Sequence, residues 1–157
     1  MNQLDNHITN ESRVRNGTFT DYAGNASTEH WKTNAASVPV RIPGGKHTLS
    51  LNARDFITQE LEQVTEQNFK VHYAFKAAAS HPSPNTYIRV RVEDERLKEE
   101  VDIVVNNKVL HERSHTGIWT FSANSGPLKF TFSNEVLNSG RFIELTDISL
   151  WIEAVDE

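Results

Sequence analysis

The amino-acid sequence predicts an all-β protein, an antiparallel sandwich or barrel of roughly nine to eleven short strands. Three observations carry this. Apolar and polar residues alternate in several runs. The plainest are Phe69, Val71, Tyr73 and Phe75 against Lys70, His72, Ala74 and Lys76, and Ile88, Val90 and Val92 against Tyr87, Arg89, Arg91 and Glu93. Successive side chains of a strand point to opposite faces, so these runs read as half-buried strands. Turn signals built from Gly, Pro and Asn recur at intervals of about ten residues. Finally, 157 residues, 37% hydrophobic and 24% charged, suit one domain with one core.

Taken in order, residues 1–12 are polar and aperiodic and are expected to form a flexible N-terminal arm, leaving 13–157 as a single β-sandwich domain. Arg13 to Phe19 reads as a short strand broken at Asn16-Gly17. Asp21 to Ser37 is a long polar loop with Tyr22 and Trp31 as aromatic anchors. Val38, Val40 and Ile42 alternate until Pro43-Gly44-Gly45 ends the run, and Leu49 and Leu51 open the next strand. Ala53–Gln67 admits two readings. Asp55 could cap a helix with Phe56, Leu61 and Val64 near one face; as a strand, Ile57, Gln59 and Leu61 share a face, and the flanking strands favour this. Ala77–Asn85, with Pro82 and Pro84, is a loop, and Glu93–Glu100 a charged turn. Val101, Ile103 and Val105 lead into Asn106-Asn107 and Lys108–His111. Two residues tolerant of positive φ between apolar runs predict a tight hairpin there. Trp119 and Phe121 share a face of another strand. Ser125-Gly126-Pro127 turns the chain, Leu128, Phe130 and Phe132 alternate, and Asn134–Gly140 is a loop.

The last strand organises the rest. Ile148, Leu150 and Ile152 fall on one face; Asp147, Ser149, Trp151 and Glu153 fall on the other. Upstream, Ile143 and Leu145 have the opposite parity, so the register slips around Thr146-Asp147. A bulge does this, and bulges re-aim side chains near sites. An aspartate at a bulge suits oxygen coordination of a hard cation such as calcium. The alternative is that Asp147 only bends the backbone or binds a backbone amide.

Composition removes several function classes. A net charge of -5 and a pI near 5.8 argue against a general nucleic-acid binder. There is no cysteine, hence no disulfide framework and no thiolate ligand or nucleophile. No apolar run reaches membrane-spanning length. The first ten residues lack the basic and apolar regions of a secretory signal. Sequons stand at Asn10, Asn16 and Asn25.

The order of motifs carries a resemblance. Asn16-Gly17-Thr18-Phe19 is followed by Trp31, then by Gly45-Lys46-His47-Thr48-Leu49-Ser50-Leu51. Next come Ile57-Thr58-Gln59, Asn68 to Phe75, Trp119-Thr120-Phe121, Leu128 to Phe132 and Leu145 to Leu150. Over roughly residues 14–152 this resembles the jelly-roll carbohydrate-binding modules of the galactose-binding-like superfamily, the xylanase- and cellulase-associated type. The resemblance implies a jelly-roll β-sandwich and non-catalytic binding of a glycan or polysaccharide by a secreted or released protein. It also implies a structural calcium tying the first strand to the last, at Thr18 and Asp147. The acidic residue that often follows the Phe is here Thr20, with Asp21 after it. The same broad superfamily includes receptor-binding sandwich domains of toxins. A protein receptor as partner is therefore the alternative.

Two candidate ligand surfaces follow. One is the outward face of the two plainest strands, with Lys70, His72 and Lys76, then Tyr87, Arg89 and Arg91, together with Trp151. Aromatic rings offer sugar C–H faces a flat platform, and Arg and His donate hydrogen bonds to hydroxyls or carboxylates. The other is a rim loop with Tyr22, His30 and Trp31, beside the His81–Tyr87 loop; Trp31 and Trp119 also read as core residues. His111 and His115 have a metal-site spacing, but on a strand they lie too far apart for one ion. Glu60 and Glu62, or Glu99 and Glu100, read as solvated charge rather than a catalytic pair, which needs a pocket and split pKa values.

Overall fold

The computed structural model describes residues 12–62, 64, 68–110, 114–122, 126–136 and 140–155. Ten strands run through them: β1 (Lys32–Thr33), β2 (Val40–Ile42), β3 (Lys46–Leu51), β4 (Phe56–Glu60), β5 (Asn68–Ala79), β6 (Tyr87–Glu93), β7 (Lys98–Val104), β8 (Ser114–Ser122), β9 (Lys129–Asn134) and β10 (Ile143–Ala154). They form two five-stranded antiparallel sheets, ordered β2-β3-β10-β5-β8 and β1-β4-β9-β6-β7. This is the expected jelly-roll sandwich.

The alternation of the sequence is what closes it. Phe69, Val71, Tyr73 and Phe75 of β5 face Ile88, Val90 and Val92 of β6 and Phe130 and Phe132 of β9, all buried. Phe75 meets Phe132 edge-on with ring centroids 5.0 Å apart, a favoured aromatic geometry. Each such side chain contributes roughly 1.5–3 kcal/mol by leaving water. Ile57, Gln59 and Leu61 are buried on one face of β4 and the residue after it, so the described part of Ala53–Gln67 holds the strand rather than the helix.

Strand β10 carries the expected slip. Its pairing with β5 is regular to Thr146↔Lys76, resumes at Ser149↔Ala74, and is broken between. Asp147 sits there with φ 53, a left-handed conformation that aspartate tolerates better than most residues. Because of the bulge, Ile143 and Leu145 before it and Ile148, Leu150 and Ile152 after it all reach the core.

Three expectations are corrected. Asn106-Asn107 is not a hairpin turn: β7 ends at Val104, and the chain crosses to the other sheet to begin β8. Asn107 is buried instead and donates to the Ala77 carbonyl at 2.8 Å, while the hairpin partner of β7 is β6, across the Asp94–Leu97 turn. Arg13–Phe19 is not a strand, although it runs beside β10: the Arg13 amide donates to Leu150 O (2.7 Å) and the Ile148 amide to Gly17 O (3.0 Å). The alternation of Val38, Val40 and Ile42 does not mark burial, since Val38 is 71% and Val40 58% exposed at a sheet edge. Residues 1–11 of the expected arm lie outside the described residues.

Candidate functional site

The two strands expected to share one ligand face belong to different sheets. Lys70, His72 and Lys76 of β5 therefore point out of one side of the sandwich, and Tyr87, Arg89 and Arg91 of β6 out of the opposite side. Local alternation fixes which face a side chain takes but not which sheet a strand joins. The expected single groove becomes two separate surfaces of unlike character.

On the β5 side, strand register sets Trp151 directly opposite His72, and His72 opposite Ile118 of β8. The Trp151 and His72 rings are stacked, with centroids 5.2 Å apart and an interplanar angle of 5°. His72 Nε2 lies 2.8 Å from Glu153 Oε1, two residues along the same face as Trp151, and Glu153 is opposite Lys70. The indole is thus backed by a ring that a carboxylate holds in place. Beyond it, Ser149, Ala74 and Thr116 form a cross-strand row of small side chains, leaving a low floor. Sequence alternation already put Glu153 beside Trp151; its contact with His72 required the register of β10 on β5.

The His72 hydrogen bond, aided by Lys70, holds the Glu153 carboxyl below its ordinary value. A carboxyl lowered by folding stabilises the folded arrangement above its unfolded pKa, and that contribution is lost as pH falls through the folded pKa. The ring stack is therefore expected to be intact at neutral pH and to loosen only on acidification below the usual carboxylate range. The Glu153 side-chain carboxyl carbon shift followed by NMR from pH 7 to pH 2 should show its midpoint below the ordinary carboxylate value; a midpoint at or above that value would mean His72 does not hold the carboxylate.

On the β6 side the arginines are paired with carboxylates. Arg89 donates to both oxygens of Asp102 (2.8 and 3.3 Å) and lies near Glu100 and Glu135. Its hydrogen bond to Asp102, with Glu135 and Glu100 nearby, holds it protonated well above its ordinary range. Arg91 donates to Glu100 at 3.1 Å and pairs with Glu93 at 3.6 Å. A ligand there would compete with carboxylates that already pair with both guanidinium groups. Tyr87, at the start of β6, is half-buried opposite Val104.

The rim pair separates as well. Tyr22 is fully exposed at 105%, whereas Trp31 is 7% exposed against Phe19. The indole N–H of Trp31 donates to Asn16 O at 2.9 Å, which makes Trp31 a core residue rather than a platform. His30 is exposed with φ 78. Trp119 is half-buried on Tyr73, with centroids 4.8 Å apart. His115 is buried against Phe75, and His111 lies outside the described residues. The Asn16 amide donates to Ser27 O and Glu29 O and accepts from the Thr20 amide, so glycosylation at this sequon, which replaces one Nδ2 hydrogen, would remove at least one of the two donated bonds.

The four residues expected around a calcium have other partners. Thr18 O accepts the His47 amide (3.0 Å) and the Thr20 hydroxyl (2.8 Å), which uses both lone pairs of a carbonyl. Having given its one proton to Thr18, the Thr20 hydroxyl accepts from His47 Nδ1 at 2.8 Å. Asp21 Oδ1 closes its own turn on the amides of Ala23 and Asn25. Asp147 pairs with Lys46 at 2.9 Å and with Lys76 at 3.8 Å. Among the described residues no three His, Cys, Asp or Glu gather as a metal site. One carboxylate facing two ammonium groups does not fit a divalent cation, which requires several oxygen ligands and net negative charge. The melting temperature is accordingly expected to be the same in excess EDTA and in millimolar calcium. A fall in EDTA that calcium restores would contradict this.

Three comparisons with known proteins bear on this architecture. Residues 9–143 match the family described as "Protein of unknown function (DUF642)". No curated protein matches. Among solved structures, the carbohydrate-binding module TmCBM61, in complex with β-1,4-galactotriose, superposes with a TM-score of 0.64 at 15% identity, covering 91% of this chain and 99% of that one. The xylan-binding domain CBM22-1 from Paenibacillus barcinonensis gives 0.55 at 13% identity, covering 85% and 92%. A cyclase from Fischerella sp. gives 0.56 at 12% identity, covering 92% and 98%. At such identities the shared property is the fold, and one fold hosts unrelated functions.

Proposed function

The chain belongs to the DUF642 family, and we propose that it is a non-catalytic carbohydrate-binding module whose ligand lies across the outer face of the β2-β3-β10-β5-β8 sheet. The observation that carries this is the Trp151 indole, half-exposed on that face and stacked on His72. A flat apolar ring with directed polar groups at its border is what a sugar's C–H face and hydroxyls need. Lys70 and Glu153 supply the polar border, and the small row through Ala74 leaves room for further sugar units. Several solved structures of the same fold are carbohydrate-binding modules, which supports the reading.

A second reading has one observation of its own. Val38 and Val40 are exposed at the β2 edge, and apolar side chains at an open sheet edge suit a protein partner. A glycan array separates the two. Binding to one glycan class, lost on addition of the free oligosaccharide, is the expected result. No binding at high protein concentration, with a protein receptor recovered by pull-down, would favour the second reading.

A further inference from the structure

The charge around the bulge is the reverse of a cation site, and a cleft of about 370 Å³ opens beside it on the same outer face. Its walls are Ile42 and Pro43 on one side and Leu110 on the other; Lys46, Lys76, Thr146 and Asp147 line the rest. We propose that this cleft is a carboxylate subsite, which takes the acid group of a uronic-acid-containing oligosaccharide between Lys46 and Lys76. It rests on the carbohydrate reading and adds the ligand's charge to it.

Two ammonium groups face one carboxylate, leaving the lining with one net positive charge. An ammonium has three donors. Lys46 gives one to Asp147 at 2.9 Å, while Lys76 at 3.8 Å is beyond hydrogen-bond distance. Among the described residues no other acidic group pairs with either lysine. An incoming carboxylate would complete the pairing without displacing Asp147. The apolar walls suit the C–H edges of a sugar ring and would exclude a heavily hydrated inorganic anion.

Position adds a length requirement. Lys76 and His72 are four residues apart on β5, roughly 13 Å along a strand. An oligosaccharide, not a single sugar, is therefore needed to touch both the Trp151 platform and the cleft. Ala74, Ser149 and Thr116 between them leave the path low.

Calorimetric titration of the whole chain with trigalacturonate, its methyl ester and galactotriose at low salt tests this. The acid is expected to bind about tenfold more tightly than the ester, the worth of one charge-assisted hydrogen bond. Lys76→Met should bring that ratio close to one, and Lys46→Gln serves as an independent variant should the first misfold. If the ester and galactotriose bind as tightly as the acid, the subsite is wrong while the glycan surface stands. An acid preference that survives both folded variants also overturns it. If none of the three sugars binds, the uronate subsite fails, and the carbohydrate reading is decided separately by the glycan array.

Discussion

Replacing Trp151 by alanine is expected to weaken binding to the best glycan of the array about thirtyfold, roughly 2 kcal/mol. The magnitude is that of a buried aromatic anchor, because a bound sugar would cover the exposed half of an indole whose other half is already packed. The stack on His72 matters to this estimate. A ring held at 5° to its neighbour has little rotamer freedom left to lose, so little of the contact is spent on ordering it. Stability should change much less, by about 1 kcal/mol, since Trp151 points away from the core. Trp151→Phe should recover part of the affinity. Equal affinity in wild type and Trp151→Ala, by titration calorimetry, would remove the platform from the account.

The second large effect concerns the fold. Gly17→Ala is expected to destabilise the protein by about 3 kcal/mol, which for a chain of this size lowers the melting temperature by roughly 6–12 °C. A Cβ at Gly17 would fall inside the contact radius of the Ile148 carbonyl oxygen. That obstacle is backbone, and it cannot rotate away as a side chain would. Gly17 also accepts the Ile148 amide at 3.0 Å, so a displaced segment loses this bond and loosens Phe19, which is fully buried. The damage would fall on the same bulge that sets the direction of Asp147. Thermal unfolding followed by circular dichroism gives the answer; an unchanged melting temperature would mean the first segment is not clamped to β10.

How far the sequence discloses this molecule depends on the range of the interaction concerned. Alternation is local, so the strands around Phe69–Phe75, Ile88–Val92 and Ile148–Ile152 were legible, as was the parity break at Asp147. Burial at a sheet edge is not local. Val38 and Val40 alternate like core residues yet lie exposed, because β2 has a neighbour on one side only. Which sheet a strand joins is the least local property of all. Alternation alone therefore groups Lys70, His72 and Lys76 with Arg89 and Arg91, although a full sandwich thickness separates them. The same limit hid the pairing of Lys46 with Asp147, one hundred and one residues apart. No motif announces a lysine opposite a bulge. Tyr22 and Trp31 illustrate the remaining gap, since aromatic residues of one loop divide between solvent and core according to contacts with Phe19 and Asn16.

The account stands on one face of the sandwich being the ligand surface, and amide and indole chemical shifts report on both faces at once. In a titration of isotopically labelled protein with its preferred oligosaccharide, the largest changes are expected at Trp151, Glu153, His72 and Ser149, while Arg89, Arg91 and Tyr87 stay still. Changes centred on Arg89 and Arg91, or spread over the Tyr22 loop with Trp151 unmoved, would contradict it.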